Sequence, residues 1–134
     1  MSLTSGVPED NLRREPAPGD WPVDMVIAHL ADAELVYSVR VRMMLTTEDP
    51  ELPAYDQDRW ADRFGGLDEH AQSSIARWRA LRESNLSLFE SVRDEEWRRT
   101  GNHEERGEIT VADVPAIMAD HDRLHLDQIR QALR

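Results

Sequence analysis

Two histidines, His121 and His125, stand four residues apart in the stretch "IMADHDRLHLDQI". At about 100° per residue a helix brings them to one face, one turn apart and about 40° from each other. Val114, Ile117, Met118 and Ala132 fall on the same arc, so both imidazoles lie at the centre of an apolar stripe. A buried imidazole carries nitrogens that must find partners, and an i,i+4 pair can reach a single ion. A third histidine, His29, lies among Met25, Val26, Ala33 and Val36 on the flank of an earlier apolar helix face. If the two helices pack side by side, three neutral nitrogens converge on one point. Such a set suits a divalent transition metal and leaves positions open for water or substrate, as catalytic sites require. The alternative is a group of hydrogen-bonded core histidines, and spacing alone does not separate the two.

Further candidates surround this set. Arg40 lies three turns beyond His29 on the same flank, where its guanidinium can bind an anionic group or make a surface ion pair. Glu34 and Asp122 are placed to orient ligand imidazoles from behind. His70 falls at the exposed start of a helix and reads as a surface residue, and His103 falls in a polar connection just upstream of the last helix, where it reads as a loop residue with lining a pocket as the alternative.

These side chains need helices to hold them. "GDWPVDMVIAHLADAELVYSVRVRMML" carries apolar residues at helical spacing, with Asp20 expected as the N-cap and Pro22 in the first turn. The prolines of "TTEDPELPAYD" end it. A connection over 46–67 follows, anchored by Tyr55, Trp60 and Phe64, with a short helix expected at "DRWADRF". The pattern then predicts a second long helix over 67–92, in which Asn85 interrupts the apolar side and needs a partner. "RDEEWRRTGNHEERGE" reads as a polar connection, and the last helix is expected to open near Thr110 with Asp113 in its first turn. No strand pattern stands out, so the expected class is all-α. Residues 1–20, rich in proline and polar side chains, read as an N-terminal arm with at most one helical turn, and 21–134 as a single helical bundle domain.

Composition narrows the function. The 134 residues carry a formal net charge of −11, which argues against nucleic acid as a partner. No apolar run approaches the ~18 residues that span a bilayer. The first residues have neither the basic start nor the apolar core of a signal peptide, so a cytoplasmic location is the default expectation. With no cysteine in the chain, any thiol chemistry needs a thiol that arrives with another molecule.

The residues "HLADAE" at 29–34, "GEIT" at 107–110 and "HDRLHLDQI" at 121–129 together resemble the DinB-like family of metal-binding four-helix bundles. That family shows a Trp-led helix bearing HLxDxE and a final helix bearing HDxxHxxQI. The resemblance covers about residues 20–133 and implies a DinB-like antiparallel helical bundle, its first helix shortened or missing. It also implies a divalent metal (Zn, Ni or Fe) held by His29, His121 and His125. Characterised relatives include S-transferases that use a low-molecular-weight thiol such as bacillithiol or mycothiol. The expected function is therefore a metal-dependent, thiol-dependent S-transferase acting on a small electrophilic substrate. The alternatives are a metal-dependent hydrolase and a non-catalytic metal-binding stress-response bundle. The short first helix would leave apolar surface, so a homodimer is expected.

Overall fold

The computed structural model describes residues 2–67 and 70–134. The N-terminal segment makes a 3-10 turn at Ser2–Thr4 and a single helical turn, α1, at Glu9–Leu12. Leu12 is only 2% exposed and packs against Val23, Ile27 and Ile129, with Leu3 and Val7 beside it. The arm is thus stapled across one end of the bundle by a few apolar side chains.

The long helix α2 spans Val23–Thr46. Its N-cap is Pro22 and not Asp20, because Pro22 keeps an extended ψ of 157° and the helix can start only after it. No side chain caps this end. Helix α3 covers Gln57–Phe64, and its N-cap Asp56 accepts a hydrogen bond from the Arg59 amide at 3.0 Å. Helix α4 spans Ala71–Glu90, shorter than the expected 67–92; Asp68 and Glu69 lie outside the described residues. Helix α5 runs from Asp113 to Ala132.

Side-chain pairings fix the helix directions. Asp32 pairs with Arg77, and Glu34 with Arg82 and Asn85, so α2 and α4 run the same way. Val114 and Met118 pack with Val41 and Met44, while Ile129 meets Val23 and Ile27, so α5 runs opposite to α2. The two ends of the bundle hold separate apolar clusters, and a polar layer lies between them.

In that layer Asn85 Nδ2 donates to the Glu34 carbonyl at 3.0 Å and to Glu34 Oε2 at 2.7 Å. Arg82 donates from Nε to Glu34 Oε1 at 2.8 Å and from Nη2 to Asp122 Oδ2 at 2.6 Å. Three helices are clamped through one guanidinium. The partner that a buried Asn85 needs is therefore Glu34, and the polar layer fixes how far α4 and α5 can slide along α2.

A two-stranded hairpin departs from the expected purely helical chain. Strand β1, Thr100–His103, pairs antiparallel with β2, Gly107–Thr110, in the register Gly101 to Ile109 and His103 to Gly107. Gly107 closes the turn with φ +73°, a conformation in which glycine has no steric penalty. The hairpin is tied to the 46–67 connection: the Asn102 amide donates to Pro50 O at 2.8 Å and the Leu52 amide to Asn102 O at 2.9 Å. A Cβ at Gly101 would stand 2.9 Å from both Leu52 Cδ2 and Met44 Cγ, so this close approach requires glycine. The last helix opens at Asp113 and not Thr110, because Thr110 is still extended in β2. The expected capping contact survives in half: the Thr110 amide donates to Asp113 Oδ2 at 2.8 Å.

Candidate metal centre

His29 is carried on the second turn of α2, and His121 and His125 on successive turns of α5. Antiparallel packing of these helices brings one nitrogen of each ring within 4.8 Å of the others. His29 Nε2 and His121 Nε2 are 3.0 Å apart, and all three rings contact one another at centroid distances of 4.5–5.0 Å. His29 is 3% exposed and His125 8%, while His121 is partly open. Trp21 lies against His29 at 5.3 Å between ring centroids.

Burial and mutual repulsion keep these imidazoles neutral. Desolvation is the main cause at each ring. It lowers His29 to about 3, helped by the charges His125 and His121 would carry, and lowers His121 to about 4, helped by His125. His125 is also lowered by burial, against a smaller upward pull from Gln128. The Gln128 contact fixes a tautomer as well. His125 Nδ1 donates to Gln128 Oε1 at 2.8 Å, which leaves the Nε2 lone pair free.

The donor set fits a transition metal. Bonds of about 2.1 Å place two nitrogens about 3.4 Å apart in a tetrahedral site and about 3 Å apart in an octahedral one, and His29 and His121 stand at 3.0 Å. Two neutral Nε2 lone pairs at that distance repel each other unless a proton or a cation lies between them.

A cleft of about 440 Å³ opens beside the histidines, with His121 and Tyr37 on its wall and Arg40, Tyr55 and His103 further along it. Tyr37 packs edge-on to His121 at 6.2 Å. Arg40 is 9% exposed, and its Nε and Nη2 donate to Pro53 O at 3.1 and 2.8 Å. His103, expected in a loop, sits at the end of β1 and reaches the same cleft. His70 stays at the surface as the N-cap of α4, 4.0 Å from Glu9.

The two carboxylates expected behind the imidazoles are used otherwise. Glu34 and Asp122 both bind Arg82, and neither makes a described hydrogen bond to a histidine. Sequence reasoning missed Gln128 in that role. Its only signal is the i,i+3 spacing from His125, which puts an amide over the outer edge of the ring.

A profile of the DinB superfamily matches residues 1–129. A protein of Oceanobacillus iheyensis, named as a proposed metal-dependent hydrolase, is 30% identical over 125 residues, 93% of this chain and 72% of its own length. A second from that organism is 31% identical over 111 residues, and one from Bacillus cereus is 27% identical over 111; both bear the same kind of name. In these two the match spans 83% of this chain but only 64% of the relative. Among solved structures, YfiT from Bacillus subtilis, described as a metal-dependent hydrolase by inference with an unusual four-helix bundle topology, superposes with a TM-score of 0.86. It covers 98% of this chain and 77% of YfiT at 23% identity, a likeness of fold. With the profile matching nearly the whole chain, this protein belongs to the DinB superfamily.

Proposed function

We propose that the protein is a metal-dependent hydrolase of a small molecule, with His29, His121 and His125 as the metal ligands. The observation that carries this proposal is the convergence of three neutral imidazoles from two helices beside an open cleft. When bound, a divalent metal at this place supplies Lewis acidity toward a carbonyl or phosphoryl oxygen and lowers the pKa of water. The chain does the rest. Gln128 holds His125 in the tautomer that leaves Nε2 free, Trp21 shields His29, and the partly exposed His121 faces the cleft where substrate enters. The names of the relatives support hydrolysis.

Thiol-dependent S-transfer, which the family resemblance raised first, uses the same ligands but needs two organic molecules in one cleft. The similar proteins carry hydrolase names, and the second reactant of a hydrolase is water. Hydrolysis is therefore the better fit. Turnover of a panel of small esters, amides and phosphoesters by the metal-loaded protein, with and without added thiol, tests this. Product formation without thiol supports the proposal, and turnover only when a thiol is present assigns the protein to S-transfer.

The proposal extends to the organisation of the chain: 21–134 as the bundle, 1–20 as an arm that closes its end, and a homodimer as the working unit. Support for the dimer comes from Leu35 and Val39, one turn apart on α2 and 46% and 43% exposed. Among the described residues no helix is long and apolar enough to cross a membrane.

A further inference from the structure

Both ring nitrogens of His103 face hydrogen-bond donors. Nδ1 accepts from the backbone amides of Glu105 at 3.1 Å and Arg106 at 3.3 Å, contacts made by the hairpin turn itself. Backbone amides only donate, so Nδ1 carries the lone pair and a neutral ring must bear its proton on Nε2. Yet Nε2 stands 3.3 Å from Arg40 Nη1, a cation with nothing but N–H groups to offer. For both His103 nitrogens to accept, the ring would have to be an imidazolate, which neutral water does not permit.

Two donors therefore stand side by side on the wall of the cleft, and among the described residues no acceptor lies between them. Arg40 cannot turn away, because Nε and Nη2 are held on Pro53 O and the side chain is nine-tenths buried. His103 cannot turn away without breaking the two turn contacts. An oxygen with lone pairs, placed in the cleft against both, resolves the conflict, and a negative charge on it offsets the buried guanidinium.

We propose that Arg40 and His103 form an anion subsite that holds the carboxylate of the substrate at a distance from the three histidines. The idea rests on the hydrolase proposal for what happens at the other end of the cleft. The charge balance selects a monoanion. One buried arginine and a neutral imidazole face the ligand, while Asp56, Asp58, Glu104 and Glu105 line the same cleft, outnumber its second arginine, Arg106, and disfavour a dianion such as a phosphate monoester. The substrate class is then a small carboxylic acid whose hydrolysable bond lies toward His121. Recognition of one end by fixed donors would set the position of the reacting end.

The test is nitrogen-15 NMR of the histidine rings in the metal-loaded full chain, titrated with acetate, acetamide and inorganic phosphate at constant ionic strength. The subsite predicts the Nε2–H tautomer for His103 and a saturable shift of that signal with acetate but not with acetamide. It predicts weaker binding of phosphate than of acetate. Arg40→Gln and His103→Ala should each weaken acetate at least tenfold, measured by calorimetry, while metal content stays at the wild-type level. His103 lies on the hairpin and outside the core, so His103→Ala remains informative if Arg40→Gln does not fold. An Nδ1–H tautomer, an equal response to acetamide, or unchanged acetate affinity in His103→Ala would overturn the subsite. Tighter phosphate binding would overturn the assignment to a monocarboxylate. Repeating the titration on chelator-stripped protein separates the two proposals. Acetate that still binds there is not sitting on the metal, and a chain that never binds metal but binds acetate through Arg40 and His103 refutes only the hydrolase.

Discussion

At the scale of single residues, the site is a set of bases kept from protonating. His29 is held near 3 by burial and by His125 and His121, and His121 near 4 by burial and by His125, whereas both are ordinary imidazoles, near 6.5, in the unfolded chain. Between those limits the unfolded state binds more protons than the folded one, so the metal-free protein loses stability as pH falls through that window. One such histidine costs up to about 2 kcal/mol between pH 7.5 and 5. Urea denaturation of the chelator-treated protein should show the midpoint dropping across this range. His29→Leu should flatten the dependence, and an unchanged slope in that variant would contradict the account. The residue types and spacing made this trio legible, since HxxxH on an apolar arc and a histidine on a facing helix require only helix geometry. The roles of Gln128 and His103 were not legible: one depends on a rotamer, the other on which way a turn's amides point.

At the scale of elements, the helices could be read from periodicity and the proline breaks, but the hairpin could not. Its strands are four residues each, and the inward-facing pair is Gly101 and Ile109, too little alternation to signal a strand. It forms because the 50–52 segment adds backbone hydrogen bonds and because Gly101 lets it sit on Leu52 and Met44. Gly101→Val should therefore cost about 1–3 kcal/mol by overpacking and disturb the hairpin that carries His103; thermal melting and the His103 ring signal would report both. The N-terminal arm is similarly understated by its polar composition. Leu12 sits in the core, so Leu12→Ala should destabilise by about 2–5 kcal/mol, while Leu124→Ala, at a position 66% exposed, should stay within about 0.5 kcal/mol. Equal effects in denaturant melts would show that the arm is not part of the bundle.

At the scale of the whole molecule, three helices are held in register by one polar layer, in which Arg82 joins Glu34 to Asp122 beside the histidines. Removing the guanidinium with Arg82→Met leaves two carboxylates behind, and the expected loss is about 3–5 kcal/mol. The homodimer predicts a mass near twice 15.4 kDa by light scattering at micromolar concentration, reduced by charged substitutions at Leu35 and Val39; a monomer would reject it. The central claim is that His29, His121 and His125 hold one metal ion together. Its most direct test is elemental analysis of untagged protein reconstituted with zinc, nickel or iron at pH 7.5, for the wild type and for His29→Leu, His121→Leu and His125→Leu. The account predicts about one ion per chain in the wild type and loss of most of it in every variant, with each still folded because leucine refills the apolar stripe. Full occupancy in His29→Leu alongside its loss in His121→Leu would contradict the three-histidine centre and leave any ion to the pair on α5.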